Sequence, residues 1–274
     1  MRLLVTGGCG FIGSHFVRLI LNDHPEEEVI NLDALTYAGN PDNVADVAFN
    51  PRYHFVKGNI CDHDLVRELV KECDVVVNFA AESHVDRSIN DPSPFITTNV
   101  QGTCNLLEAC REIGIERYLQ ISTDEVYGSL GPEETFTEES PLAPNSPYAA
   151  SKASADLLVR AYHQTYGLPT LITRCSNNYG PNQHPEKLIP SFILRLNRGE
   201  HVPIYGDGTN VRDWIYVTDH CRAVDLVLRK GKIGEIYNVS AHQELSNLEI
   251  TRILLNMPPY LSFSGLMPRP PLQF

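Results

Sequence analysis

Apolar and polar positions follow two rhythms along this chain. Short, nearly continuous apolar runs at Leu3–Thr6, Val29–Leu32, His54–Lys57, Asp74–Phe79, Tyr118–Ser122 and Thr170–Thr173 each predict a β-strand. Between them, apolar residues recurring every three or four positions predict helices over Ile12–Leu21, Asp64–Lys71, Asn99–Ile113 and Pro147–Tyr166. Continuous apolar strands alternating with helices form parallel sheets covered on both faces, and right-handed crossovers make such a sheet doubly wound. The predicted fold class is therefore α/β.

After about residue 175 the rhythm breaks. The segment 177–185 is polar and rich in turn formers. Short strands follow at His201–Tyr205 and Arg212–Val217, then a helix over Thr218–Arg229, a strand at Ile236–Val239 and a helix from Asn247. This pattern predicts a first domain over 1–175, a return of roughly 212–240 to its sheet, and a smaller, interleaved C-terminal domain over 176–274. From Asn256 the helical pattern stops. The prolines at 258, 259, 268, 270 and 271 predict irregular or extended structure there.

Charge and composition narrow the partners. A net charge of −12 argues against nucleic acid and against an anionic membrane surface, while leaving room for an anionic small molecule at a local cationic cluster. No apolar stretch approaches the ~20 residues of a membrane span. Leu3-Leu4-Val5 is too short for a signal peptide. The 7 cysteines form no C-x-x-C and no metal-ligand spacing, so free thiols in a reducing cytoplasm and no metal are expected.

Chemistry enters with the glycines. Strand Leu3–Thr6 runs into Gly7-Gly8-Cys9-Gly10-Phe11-Ile12-Gly13 and then a helix. Gly7, Gly10 and Gly13 let the backbone turn, approach a pyrophosphate and pack helix on sheet, with the helix N-terminus facing the phosphates. About 20 residues on, Asp33 ends the second strand, where a carboxylate accepts from ribose hydroxyls and repels a 2′-phosphate. The expectation is a Rossmann sheet that binds NAD rather than NADP.

Ser146-Pro147-Tyr148-Ala149-Ala150-Ser151-Lys152 opens a helix, with Ser146 as N-cap and Pro147 first. Tyr148 and Lys152, four apart, point from one face. An ammonium beside a phenol favours phenolate, and NAD⁺ adds positive charge, which makes Tyr148 a usable base. Strand Tyr118–Ser122 leads into Thr123-Asp124-Glu125 at its carboxyl end, where an open α/β sheet places its ligand. The two carboxyls there are either a capped, solvated turn or an acid and a base acting on one substrate.

Gly7–Gly13, Tyr148 with Lys152, and Phe79-Ala80-Ala81-Glu82-Ser83-His84 resemble the extended short-chain dehydrogenase/reductases that act on nucleotide sugars. The run Ser122–Gly128 narrows the resemblance to the dTDP-glucose 4,6-dehydratases. Epimerases of this type lack the Asp–Glu pair, and GDP-mannose dehydratases keep the Glu without the preceding Asp. Asp33–Asn40, Asp86–Ser88, Asn177–Pro181, Pro185–Pro190 and Arg212–Val217 also match, and the similarity covers roughly residues 1–255.

The resemblance implies that Tyr148 deprotonates the glucose 4-hydroxyl as hydride leaves C4 for NAD⁺. It implies that Glu125 removes the C5 proton, that Asp124 protonates the departing 6-hydroxyl, and that hydride returns to C6. Thr123 would hydrogen-bond the sugar near O4. Lys152 would hold the nicotinamide ribose. The implied NAD contacts are Gly7, Gly10, Phe11, Ile12, Gly13, Asp33, Thr36, Asn59, Ile60, Phe79, Ala80, Ala81, Ser83, Thr98, Tyr148, Lys152 and Asn178. Ser83 and Asn177 would contact the sugar. Lys187 and Arg212 would meet the diphosphate or nucleotide, with Leu188, Pro203, Tyr205 and Asn247 shaping that pocket. A homodimer through a four-helix bundle is also implied. Its candidate helices, Asn99–Ile113 and Pro147–Tyr166, carry Leu106, Leu107 and Cys110 and Leu157, Leu158 and Ala161. Three departures stand out. Cys9 replaces a usual Ala. Asn59 replaces a usual Asp near the adenine. The family's later Asp-Arg-Pro-Gly-His segment has no match here, because the similarity fades near Leu255. The competing readings are a related dehydratase or epimerase for another base or sugar, and a cofactor-binding protein without turnover.

Overall fold

The computed structural model describes residues 1–131, 134–204 and 206–257. They divide into two compact units, Met1–Cys175 with Val217–Val239, and Ser176–Tyr216 with the residues from Ser240. Tyr205 and the proline-rich tail after Met257 lie outside the described residues.

Six strands of the first unit precede the second: β1 (Arg2–Thr6), β2 (Glu28–Asp33), β3 (Tyr53–Lys57), β4 (Val75–Asn78), β5 (Arg117–Thr123) and β6 (Thr170–Cys175). The second unit then supplies β7 (Asn177–Tyr179) and β8 (Val211–Tyr216) before β9 (Ile236–Val239) returns to the first. The large sheet has the order β3-β2-β1-β4-β5-β6-β9, every pairing parallel. Its order reverses at β1, where β2 lies on one side and β4 on the other. A doubly wound sheet places ligands at such a switch point, outside the carboxyl ends of the strands.

Alternate strand residues feed two cores. Leu3, Val5, Val75 and Val77 pack on one face with Phe16, Val17 and Ile20 of α1 (Phe11–Asp23). Leu4, Ile30 and Val76 pack on the other with Val66 and Val70 of α2 (His63–Lys71). This period-two division on strands buried on both sides produces the continuous apolar runs in the sequence. Between the two cores the sheet carries polar residues. Thr6 pairs with Asn78 and Asn78 with Gln120 on adjacent strands. Thr6 Oγ1 donates to Asn78 Oδ1 at 2.6 Å, and Asn78 Nδ2 donates to Gln120 Oε1 at 2.9 Å.

Between β4 and β5 the structure departs from the simple helix expected over Asn99–Ile113. Short helices α3 (Val85–Asn90) and α4 (Ser93–Phe95) come first, then a π-helical turn over Ile96–Gly102, and only then α5 (Thr103–Ile113). A π turn adds a residue per turn and so escapes a 3.6-residue pattern. Leu106, Leu107 and Cys110 of α5 all belong to the second core, which leaves them unavailable to an external partner.

The catalytic candidates Tyr148 and Lys152 lie on α6 (Pro147–Tyr166). Ser146 Oγ accepts from Ala149 N at 3.1 Å, Pro147 occupies the first turn, and Gly167 ends the helix in the left-handed conformation.

The second unit contains α7 (Leu188–Asn197), which the sequence pattern did not predict. α8 (Val217–Lys230) belongs to the first unit, and β10 (Glu244–Ser246) and α9 (Asn247–Asn256) complete the second. β8 pairs parallel with β7 and antiparallel with β10. The expected return of 212–240 to the large sheet is thus corrected to start at Val217. β8 exposes Val211 and Arg212 and buries Trp214 and Ile215, an outline unlike the continuous apolar strands of the large sheet. The strand expected at His201–Tyr205 reduces to an isolated bridge at Pro203, whose ring removes a ladder donor. No helix among the described residues is long and apolar enough to cross a membrane.

Replacing Ser146 with Ala should lower stability by about 1 kcal/mol, and Ser146→Asp should retain most of the cap. Urea denaturation followed by circular dichroism measures this. Equal midpoints for Ala and wild type would show that the cap contributes nothing to α6.

Candidate active site

Five candidates meet where β5 ends beside α6. Thr123 is the last residue of β5 and caps a one-turn 3₁₀ helix, Asp124–Tyr127, by accepting from Glu125 N at 3.3 Å. Its hydroxyl also lies 3.3 Å from Asp124 Oδ1. The buried Tyr148 phenol hydrogen-bonds Thr123 and feels the carboxylates of Glu125 and Asp124. One phenol, one hydroxyl and two carboxyls therefore share a corner at the carboxyl edge of the sheet.

Burial adds an effect that the spacing of Tyr148 and Lys152 does not show. Lys152 and NAD⁺ are expected to favour phenolate at Tyr148. Burial instead pushes the phenol well above its usual range, and Glu125 adds to the shift. Lys152 is buried and donates to the Ile121 carbonyl at 2.6 Å. Burial lowers its pKa, opposed by Asp156 one turn along α6. Within the chain, burial thus opposes formation of the Tyr148 phenolate.

The glycine loop fits a dinucleotide pyrophosphate. Gly7 has φ of +71°, and a Cβ there would lie 2.8 Å from Ala80 N. A Cβ on Gly13 would lie 2.3 Å from Gly7 O, so α1 can begin this close to β1 only without a side chain. Gly10 precedes α1 with no side-chain cap, which leaves Phe11 and Ile12 at a helix N-terminus suited to an anion. Asp33 ends β2, and its two carboxylate oxygens accept from Cys9 N and Leu35 N, each at 2.8 Å. Burial raises its pKa and these two bonds oppose the rise. Asp33 therefore braces the glycine loop, and each oxygen keeps a second lone pair for a ribose hydroxyl.

The departures at Cys9 and Asn59 are accommodated. Cys9 is buried and takes a hydrogen bond from Asn31 Nδ2 at 3.4 Å. Burial and then Asp33 push its thiol up to about 11, so it stays protonated. Asn59 Oδ1 accepts from Cys61 N at 2.9 Å, a bond an aspartate would make equally. Ile60 is buried, with its carbonyl held by Asn105 at 2.7 Å. Thr36 is exposed, while Phe79, Ala80, Ala81, Ser83 and Thr98 are half-buried. Ser83 Oγ lies 3.5 Å from Tyr37 Oη, and the Arg87 guanidinium lies 3.9 Å from the centroid of the Tyr37 ring.

The remaining candidates belong to the second unit. Asn177 and Asn178 lie on β7, Arg212 on β8, Lys187 and Leu188 at the start of α7, Pro203 on the isolated bridge and Asn247 at the start of α9. Asn177 is in register with Trp214, two residues from Arg212. Among the described residues no three His, Cys, Asp or Glu side chains form a metal-binding group.

Sequence reading missed Asn99. This buried side chain in the π turn accepts from Glu82 N at 2.9 Å and donates to Glu82 O at 3.0 Å and to Ser151 Oγ at 2.8 Å. It fastens the loop after β4 to the catalytic helix. The available signal was a polar amide at the start of an apolar helical stripe, where Asn is a poor helix former.

Comparison with known proteins agrees with this geometry. Residues 4–257 match the family model described as GDP-mannose 4,6 dehydratase. The low-salt glycan biosynthesis protein Agl12 of Haloferax volcanii is 60% identical over 255 residues, 93% of this chain and 82% of the relative. A dTDP-glucose 4,6-dehydratase of Actinoplanes sp. is 52% identical over 260 residues, 93% of this chain and 81% of the relative. The crystal structure of DesIV, a dTDP-glucose 4,6-dehydratase of Streptomyces venezuelae with NAD and TYD bound, superposes with a TM-score of 0.91 at 57% identity, covering 93% of this chain and 80% of that one. The chain belongs to the GDP-mannose 4,6 dehydratase family, within the group that includes the dTDP-glucose 4,6-dehydratases.

Proposed function

We propose that this chain is an NAD-dependent lyase that converts dTDP-glucose to dTDP-4-keto-6-deoxyglucose. The observation that carries the proposal is the Asp124–Glu125 pair on a capped turn beside the Tyr148 phenol and the Thr123 hydroxyl. Oxidising a hydroxyl needs one base. Expelling water from the next two carbons needs a base and an acid, and the paired carboxyls supply both. This favours a dehydratase over an epimerase.

Bound NAD⁺ supplies the positive charge that favours phenolate, and a store that takes the C4 hydride and delivers it to C6. The side chains handle the protons. Tyr148 takes the proton of the 4-hydroxyl, with Thr123 orienting the oxygen. Once C4 is a ketone the C5 proton is acidic, and Glu125 accepts it and returns a proton to C5 when hydride reaches C6. Asp124 protonates the 6-hydroxyl, which leaves as water. Lys152, held by the Ile121 carbonyl, contributes charge and a donor at the base of the site. Asp33 selects NAD over NADP, because a 2′-phosphate would meet its carboxylate.

In the second unit, Lys187 and Arg212 are proposed to meet the diphosphate, since cations and a guanidinium fork match its oxygens. Asn177 is proposed to contact the sugar. Leu188, Pro203 and Asn247 are proposed to shape the nucleotide pocket. The 7 cysteines, all among the described residues, form no disulfide, which supports a reducing cytoplasm.

A second copy of the chain is proposed to cover α6. Leu157 is 55% exposed and Tyr166 is 56% exposed, and Ala161 is exposed between them on the same helix. Apolar residues one turn apart on an open face suit a helix-to-helix contact. α5, whose large apolar residues are internal, would add mainly polar contacts.

Incubation with dTDP-glucose should give the 4-keto-6-deoxy sugar with no net change in NAD, and UDP- and GDP-glucose should react more slowly. Accumulation of dTDP-galactose would overturn the dehydratase reading. Glu125→Gln should oxidise C4 but dehydrate at least ~100-fold more slowly; normal turnover would remove Glu125 from the role of base. Calorimetric titration of the cofactor-free protein should show NAD binding at least ~10-fold tighter than NADP, while Asp33→Ala should narrow the gap. Equal affinity in wild type would contradict the role of Asp33. Leu157→Arg should shift the protein from dimer to monomer by sedimentation at micromolar concentration, whereas a monomeric wild type would exclude the bundle.

A further inference from the structure

The turn that carries Asp124 and Glu125 is a single turn of 3₁₀ helix. An isolated turn of that kind has little stability of its own. Its anchors at either end must therefore set the direction of the two carboxyls. Thr123 caps the start. At the other end Tyr127 is buried and reaches into a polar chain that the reaction scheme does not use.

Arg174 of β6 is the centre of that chain. Its Nη1 donates to Tyr127 Oη at 2.8 Å, and its Nε donates to Asp156 Oδ2 at 2.9 Å. The Tyr127 hydroxyl passes its own proton on, donating to Asn238 Oδ1 of β9 at 2.8 Å. The ring stacks on Phe136, with centroids 4.8 Å apart and planes 24° apart. The Tyr127 hydroxyl thus accepts from buried Arg174 and donates to half-buried Asn238, and its ring is stacked on Phe136.

Asp156 belongs to α6, one turn beyond Lys152 and two beyond Tyr148. The ion pair is buried, with 4% and 1% of the Arg174 and Asp156 side chains exposed. Burying such a pair gives little net stability against an apolar replacement. What it provides is direction, because a guanidinium holds its partners along fixed in-plane vectors. One side chain on β6 consequently sets both the helix that carries Tyr148 and Lys152 and the turn that carries Asp124 and Glu125.

We propose that Arg174 and Tyr127 are positioning residues for water elimination, fixing the Asp124–Glu125 turn relative to the Tyr148 helix. Neither needs to touch the substrate. The proposal rests on the dehydratase reading above. It predicts a selective defect: oxidation depends on Tyr148, and elimination depends on where the turn points its carboxyls. Misplacing a catalytic group by a fraction of an ångström to an ångström slows its step by about tenfold or more.

The test is a single-turnover reaction of purified holoenzyme with dTDP-glucose, stopped chemically and analysed by mass spectrometry. This separates the oxidised sugar that still carries its 6-hydroxyl from the dehydrated product. Tyr127→Phe keeps the stacked ring and loses both hydroxyl bonds. Arg174→Lys keeps a charge opposite Asp156 and loses the fork, which protects folding if Tyr127→Phe does not fold. Either variant, with wild-type circular dichroism, should oxidise C4 within about twofold of wild type and dehydrate about tenfold more slowly, so that the oxidised sugar accumulates. The double variant should be no slower than the slower single one, because both act through one chain. Equal slowing of oxidation and elimination, an unchanged elimination rate, or additive defects in the double variant would overturn the proposal. A wild type that makes no dehydrated sugar would instead defeat the dehydratase reading, so the two failures are distinguishable.

Discussion

Thr6, Asn78 and Gln120 lie side by side on three adjacent parallel strands, joined through their buried side chains. Everything chemical in the first unit starts within a few residues beyond that line. The glycine loop leaves directly after Thr6, the Phe79–His84 loop directly after Asn78, and Thr123-Asp124-Glu125 soon after Gln120. Parallel strands in register end at one edge, so segments far apart in the chain are delivered to the same place. Buried polar groups in a sheet must be paired with one another, and a slip of one residue would leave them unpaired among apolar side chains. The register that aligns the chemistry is thus also the one that satisfies the interior.

The second constraint is the burial of charge around α6. Lys152, Asp156 and Arg174 all lie in the interior. Burial opposes ionisation of each, and their mutual contacts work against that effect. The backbone carbonyl of Ile121 and the hydroxyl of Tyr127 complete the arrangement. A protein gains little stability from such a cluster, and apolar packing of equal volume would serve folding as well. Its geometry is the more telling property: it connects α6, which carries Tyr148, with the turn that carries Asp124 and Glu125 through a strand rather than through flexible loops.

Much of this was legible before any coordinates. The strands at Leu3–Thr6, Asp74–Phe79 and Thr170–Thr173 stood out because a strand buried on both faces is apolar throughout. The glycine loop, Asp33 and the Tyr148–Lys152 spacing were legible because each follows from local backbone geometry. The π turn at Ile96–Gly102 and the role of Asn99 were not, since a local change of helical period leaves no regular pattern. Strand β8 was assigned to the wrong sheet for a related reason. Its residues are strand-like, but nothing local says which neighbours they will pair with.

The sequence by itself determined the alternation of strands and helices, the phosphate-binding turn and the residue types available for proton transfer, because these depend on neighbours within a few positions along the chain. It left open what Lys152 does to Tyr148, since a pKa is set by burial and by charges brought near from other elements. There the tertiary structure added what the spacing does not show: burial raises the pKa of the Tyr148 phenol, and the Glu125 carboxylate raises it further. Only the tertiary structure placed Arg174, Asp156 and Tyr127 in contact, across separations of 18 and 47 residues, because parallel strand pairing and not sequence proximity brings them together.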